Sequence, residues 1–402
     1  MKRRDFLKYS AVAGAGALVG ATGFPFVSFG ASKKPIKIGL STPLSGVLTD
    51  YGVRLEEGTR LAVDLINEKG GILGRKVELI VEDDKTDPAT ASLKAKKMVF
   101  NDKVDFLTGT IASSTTLAVI NAIKGTKVPY IWVVEGEDKN CLEGQKDKTR
   151  KYVFGIGETP EQKFQHFTPY MVKNFGKTFY FVGSDYVFPH FVISEGKESL
   201  KRHGGVTVGE EYGPLGTTEW SAVITKIEKA KPDVLFSVVV GNDGVAFVKQ
   251  AMSFGLKEKM VITGFPSFSP ATYSGLADYA EGVYLPTCYS ELLDNPVNKE
   301  FVRLYKAKYS PKWPIAEIAN EGYTAIQFIK GAAEKAGTSD PDKFVKALEG
   351  FRLMAPQGEM RINPDNHLAD QHIYLCQIKN RQYNVVKDFG LVVHPDHSGC
   401  SA

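Results

Sequence analysis

From residue 34 onward, short apolar runs alternate with amphipathic stretches of helical period, and few folds accommodate that alternation. Residues 36–40, 77–81, 106–110 and 129–134 read as strands, separated by helices over 57–67, 88–100 and 113–123. The first of these helices places Leu61, Ala62, Leu65 and Ile66 on one face. Strands joined by helical crossovers predict a parallel sheet covered on both sides.

The pattern then restarts. Strands at 152–156, 179–183, 206–211, 233–240 and 261–264 alternate with helices over 161–174, 188–202, 219–230 and 243–254. From about Gly282 the order changes to a strand at 283–289, helices over 296–309, 316–336 and 341–349, and strands at 359–362, 372–379 and 383–386. This trailing section is too small for a domain of its own and is expected to pack back across both lobes. The predicted fold is α/β, with two doubly wound parallel-sheet lobes joined by a hinge that the chain crosses several times. The expected boundaries are 34–153 plus about 287–360 for the first lobe, 154–286 plus about 361–390 for the second, and a tail over 391–402.

Ahead of the first strand stands an export leader over residues 1–30. Lys2, Arg3, Arg4 and Lys8 make a basic head, and a glycine-diluted apolar stretch over 11–21 follows, shorter than the roughly 20 residues a bilayer core requires. Arg3-Arg4-Asp5-Phe6-Leu7-Lys8 closely resembles the twin-arginine signal of proteins exported already folded. Ser28 and Gly30 offer small residues for cleavage near Gly30. The run Gly14-Ala15-Gly16-Ala17-Leu18-Val19-Gly20 has the wrong spacing for a dinucleotide loop, and no strand precedes it. With no cysteine before Cys141, no lipid anchor is expected, so the mature protein is placed free in the periplasm.

Composition narrows the function. The net charge of +4 lies mostly in the leader, which argues against a nucleic-acid or anionic-membrane partner. His166, His190, His203, His367, His372, His394 and His397 are scattered, with neither a metalloprotease motif nor a nucleophile elbow, so no enzyme and no cofactor or metal is expected. Cys141, Cys288, Cys376 and Cys400 could pair in three ways in an oxidising compartment.

In open parallel sheets, ligands lie at the carboxyl ends of strands where strand order reverses. The loops at those ends nominate Ser45, Tyr51, Ser113 and Ser114 from the first lobe, with Glu135 and Gly136 after its last strand. From the second lobe they nominate Tyr186, Phe188, Gly241, Asn242 and Phe265.

Pro43-Leu44-Ser45-Gly46, with a helix that begins Glu57-Gly58 and the run from Ile66 to Arg75 (I-N-E-K-G-G-I-L-G-R), resembles the branched-chain amino acid and amide group of periplasmic solute-binding proteins, type I. The similarity runs from about Lys34 to Gly390. It implies capture of a small ligand by lobe closure and delivery to the permease subunits of an ABC importer, with the twin-arginine machinery as export partner. The segments at 182–189, 209–218 and 240–247 are similar to the short-chain amide and urea binders. Carried over, Ser113 and its backbone hold a ligand oxygen, and Tyr186 and Phe188 wall the pocket.

Two departures bear on the ligand. Members that bind α-amino acids place a glutamate in the segment matching Gly264-Phe265-Pro266-Ser267; here there is none, so a standard amino acid is disfavoured unless Asp185 or Asp243 substitutes. The amide and urea binders carry aromatic residues before a Glu-Gly pair, whereas Glu135-Gly136 follows Trp132-Val133-Val134. The expected ligand is a small polar solute: an amide, urea or an amino-acid-like molecule. The alternatives are a carrier for an aromatic or aliphatic carboxylate, and a periplasmic partner of a separate sensor protein.

Overall fold

Two sheets, each with helices on both sides, organise the computed structural model, which describes residues 34–133, 151–276 and 278–393. In the first sheet, β1 (Ile36–Thr42), β2 (Val77–Asp83), β3 (Phe106–Gly109), β4 (Tyr130–Trp132) and β5 (Val153–Gly155) run parallel in the order β2-β1-β3-β4-β5. Ile36, Ile38 and Leu40, on one face of the interior strand β1, are fully buried. Three helices cross over between these strands: α1 (Thr49–Glu68), α2 (Pro88–Lys96, extended by a π-helical turn over Lys97–Asp102) and α3 (Ser113–Ala122).

The second sheet holds β6 (Thr178–Ser184), β7 (Val206–Gly213), β8 (Val234–Val238), β9 (Val261–Gly264) and β10 (Tyr284–Thr287), parallel in the order β7-β6-β8-β9-β10. Its crossovers are α4 (Pro160–Asn174), α5 (Val187–Arg202), α6 (Ser221–Ala230) and α7 (Gly241–Ser253). Strand order reverses between β1 and β3 in one sheet and between β6 and β8 in the other.

The last third of the chain stitches the halves together. After β10 come α8 (Pro296–Tyr309), α9 (Glu317–Ala336) and α10 (Pro341–Leu348). Ile318, Ala325, Ile326 and Phe328 of α9 share one core with Ile36, Ile38 and Leu40. A Cβ at Gly58 of α1 would fall 1.8 Å from the Ala319 carbonyl oxygen, so α1 and α9 meet backbone to backbone and only glycine fits between them. The chain then adds β11 (Arg352–Ala355), β12 (Gly358–Ile362), β13 (Ala369–Lys379) and β14 (Gln382–Val392), with β13 antiparallel to β10. Gly155 at the end of β5 donates to the His367 carbonyl oxygen at 3.0 Å, which ties the first sheet to the β12–β13 turn.

The structure corrects several boundaries. Helix α1 starts at Thr49, before the expected residue 57, because Tyr51 and Leu55 continue its buried face into what reads as loop. The second sheet is mixed, with β11 to β14 antiparallel on the β10 side. Strand β11 is absent from the sequence reading: it is a partly exposed edge whose Arg352 and Met354 face water and carry no apolar signal. Cys288 and Cys376 are free and buried, so they form no disulfide with each other; Cys141 and Cys400 lie outside the described residues. Among the described residues no helix is long and apolar enough to cross a membrane.

Candidate functional site

A cavity of about 650 Å³, partly continuous with solvent, opens where the two reversal points face one another. Leu48 and Tyr51 enter it after β1, Ile111 after β3, Tyr186 and Phe188 after β6, Val240 after β8, and Phe265, Pro266, Phe268 and Ser269 after β9. Glu158, Lys163, Thr287, Glu317, Glu321 and Tyr383 complete its polar lining.

Several helices begin beside the cavity without a side-chain cap, although α6 lacks one at Trp220 away from it and α4 at the cavity has one at Thr159. Asp87, Asn295 and Asp340 each cap their helix through the side chain, and proline follows each one. Leu48, Tyr186 and Val240, the N-caps of α1, α5 and α7, line the cavity and offer no side-chain cap; Ala112, which caps α3 next to Ile111, offers none either. Four helix starts therefore present backbone N–H groups and the positive dipole end beside the cavity, an environment suited to a carboxylate or carbonyl oxygen.

The opposite chemistry comes from the crossing segments. Thr159 and Gln162 form a capping box, with Thr159 N donating to Gln162 Oε1 at 3.0 Å and Gln162 N to Thr159 Oγ1 at 3.4 Å. That fixes the first turn of α4 and brings Lys163 Nζ to 2.9 Å from Glu158 Oε1, with both side chains almost wholly buried. Lys163 Nζ also stands 4.0 Å from the centroid of the Phe265 ring. Cys288 Sγ, Glu158 and Glu321 converge within 4.8 Å, and the thiol donates to Glu321 Oε1 at 3.9 Å.

Burial and the facing Glu158 push Glu321 well above the usual carboxylate range, which favours its protonated form. Burial alone would raise Glu158 too, but the Lys163 ammonium overrides it and the net shift is downward. Burial raises Glu317, against a hydrogen bond from Ser269 that favours the ionised form. Glu317 Oε2 is sealed from solvent and accepts no hydrogen bond among the described residues, while the carboxyl groups of Glu158 and Glu321 share one hydrogen bond.

The structure brings Tyr51, Tyr186, Phe188 and Phe265 to the cavity wall. Gly241 closes the contact between lobes: its φ is +55° and a Cβ there would lie 2.5 Å from the Val47 carbonyl oxygen. Ser113 is buried at the start of α3 with its Oγ unpartnered, while Ser114 is half-buried; Ile111 makes the wall beside them. Ser45 does not reach the cavity, because its exposed hydroxyl donates to Asp83 Oδ2 at 2.7 Å and pins the loop to β2. Asn242 is exposed on the first turn of α7, away from the lining. Glu135 and Gly136, like the leader residues Arg3, Arg4, Phe6 and Leu7, lie outside the described residues.

Neither aspartate replaces the missing β9-loop carboxylate. Asp185 is taken by His190 Nε2 at 2.7 Å, and Asp243 accepts from Gly216 N at 2.7 Å; neither lines the cavity. The acidic groups are Glu158, Glu317 and Glu321, which the sequence reading missed. The spacing of Glu317 and Glu321 does carry a cue, since i and i+4 share a helix face and this one is largely buried.

A family model described as periplasmic binding protein matches residues 35–382, and one for the twin-arginine translocation signal matches residues 1–20. The leucine-, isoleucine-, valine-, threonine- and alanine-binding protein of Pseudomonas aeruginosa is 25% identical over 345 residues, 86% of this chain and 90% of the relative. A Leu/Ile/Val-binding protein of Rhizobium johnstonii is 26% identical over 347 residues, 85% of this chain and 90% of the relative. Among solved structures, a solute-binding protein of an ABC transporter from Rhodopseudomonas palustris BisB5, in complex with 3,4-dihydroxybenzoic acid, superposes with a TM-score of 0.82 at 25% identity, covering 90% of this chain and 99% of that one. A leucine-binding protein from Thermotoga maritima superposes at 0.79 with 22% identity, covering 88% and 99%. The chain belongs to the periplasmic binding protein family: it is a type I, twin-arginine-exported substrate-binding protein of an ABC transporter, grouped with the leucine-binding proteins.

Proposed function

We propose that this protein captures a small polar solute with a hydrogen-bond acceptor at one end and N–H donors at another, an amide, urea or amino-acid-like molecule, by closing its lobes, and delivers it to the permease. The carrying observation is the polarity of the cavity, which joins four uncapped helix starts to Glu158, Glu317 and Glu321. The closing units are the part of the chain built on β1 to β5, with the helices after β10 that pack on it, and the part built on β6 to β10 with the strands that extend that sheet. Tyr51, Tyr186, Phe188 and Phe265 wall the solute, with the start of α3 at Ser113 receiving its oxygen. Closure follows only if the solute binds the closed arrangement more tightly than the open one.

One observation favours an aromatic carboxylate instead: the rings of Tyr51, Tyr186, Phe188, Phe265 and Tyr383 line the cavity, and the Rhodopseudomonas palustris relative is bound to 3,4-dihydroxybenzoic acid. Against it, the one lining lysine is already held by Glu158, and two further glutamates add negative charge. A thermal-shift panel of amides, urea, branched-chain amino acids and benzoates decides, since a ligand at about 100 times its Kd adds ~2.7 kcal/mol. Stabilisation by amides, urea or amino-acid-like solutes supports the proposal; stabilisation by benzoates alone rejects it.

A further inference from the structure

The carboxylates of α9 stand out in the cavity. Glu321 is 2% exposed and shares a hydrogen bond with Glu158, and the Oε2 of Glu317 accepts nothing from the described protein. Buried polar atoms are almost always hydrogen-bonded, and both carboxylates border the space where the solute sits. Lys163, paired with Glu158 at 2.9 Å and set against the face of Phe265, is the one lining cation and its charge already acts on both. The aromatic rings alongside, Tyr51 and Tyr383 among them, suit a cation further.

We propose that the solute carries a protonated nitrogen, an amine set apart from its acceptor end, and that this nitrogen docks on Glu317 and Glu321 of α9. The inference rests on the amide or amino-acid-like reading and sharpens it. The loop after β9, Gly264-Phe265-Pro266-Ser267, has no carboxylate, so the cationic end is held on the hinge side by α9. An ω-amino acid or a similar amine fits this arrangement better than an α-amino acid.

Binding has a proton balance. The groups facing Glu321 are Glu158, Lys163, Cys288 and Glu317. Glu158 and Lys163 already neutralise one another, and the Cys288 thiol is pushed up by burial, then by Glu158 and Glu321, and stays protonated. Glu321 is the group that must release its proton as an ammonium arrives, and that proton passes to solvent.

The test is calorimetric titration of the exported protein with 5-aminopentanoate, 4-(aminomethyl)benzoate, pentanamide and leucine, in two buffers of different ionisation enthalpy. The expected result is that an amine binds with proton release and that Glu321→Gln and Glu317→Gln each weaken it by ~30-fold or more, while pentanamide changes much less. Gln keeps the shape, and circular dichroism with thermal unfolding checks that each variant is folded. Binding of pentanamide without either amine, or amine binding untouched by both substitutions, overturns the inference and leaves the broader reading standing. Tight binding of Zn²⁺ alone, abolished by Cys288→Ser, also overturns it, by assigning the cluster to a metal. If none of the four binds and benzoate without an amine alone stabilises the protein in the thermal-shift panel, the broader reading falls as well.

Discussion

The Tyr51 hydroxyl donates to the Pro266 carbonyl oxygen at 3.2 Å, joining α1 of the first lobe to the loop after β9 of the second. This partly buried bond crosses from one lobe to the other beside the cavity. Tyr51→Phe removes it and keeps the ring on the wall. The expected loss is about 1 kcal/mol, roughly fivefold in Kd, appearing mainly as faster dissociation. Stopped-flow release of the solute measures it; an unchanged off-rate means the bond does not hold the closed form.

Gly241 marks a second contact between lobes. A methyl group there meets the Val47 carbonyl oxygen at 2.5 Å, and the positive φ adds strain of about 1 kcal/mol. Gly241→Ala is expected to keep the lobes apart, so that saturating solute no longer reduces the radius of gyration in X-ray scattering and affinity falls about tenfold. Full compaction of the variant would show that the contact is not needed for closure.

Lys163→Met strips Glu158 of its partner inside the protein. An uncompensated buried charge costs roughly 3–5 kcal/mol, so urea unfolding of this variant shifts far more than a surface substitution does. Glu158→Gln together with Lys163→Met recovers most of that loss if the two side chains act as a pair. Additive losses instead would place the cost in packing of the lysine stem against Phe265.

Asp84 gives a pH signature away from the cavity. Burial pushes its pKa to about 6, against hydrogen bonds from Thr86 N and the Ser41 hydroxyl that favour the ionised form. The folded state holds this proton more tightly than the unfolded chain, whose aspartate titrates near 3.8. Stability from this group is therefore complete below that value, is lost as pH rises through about 6, and stays lost above. Asp84→Asn, which can keep both hydrogen bonds, is expected to leave stability at pH 4 unchanged and to raise it at pH 8 by on the order of 3 kcal/mol. Denaturant unfolding at the two pH values checks this; equal effects at both would mean that Asp84 does not titrate in that window.

Strand cores such as Ile36-Lys37-Ile38-Gly39-Leu40 announce themselves because apolar residues recur at every second position on the face that packs into the core. Tyr51, Tyr186, Phe188 and Phe265 can be placed near a cavity from sequence because they follow strand ends. Ser45 follows such an end too, but Asp83 competes for its hydroxyl, and strand order does not report which way a loop side chain turns. Glu158 and Lys163 escape detection for a different reason: they lie where the chain leaves one sheet for the other, so their neighbours depend on how the crossings stack. Glu317 and Glu321 sit on a face shared with Ala325, where a pattern search sees only a polar interruption of an amphipathic helix.

The uncapped helix starts and the sealed glutamates carry a consequence for how faithfully this protein reports its load. Closing over solute supplies partners to those groups, whereas closing over nothing strands them at about 1–3 kcal/mol apiece. A shut molecule without cargo is thus a rare one. On the proposed reading, a permease that recognises only the shut shape is spared futile cycles of ATP hydrolysis, because the penalty on false closure falls on the same backbone ends and carboxylates proposed to hold the solute.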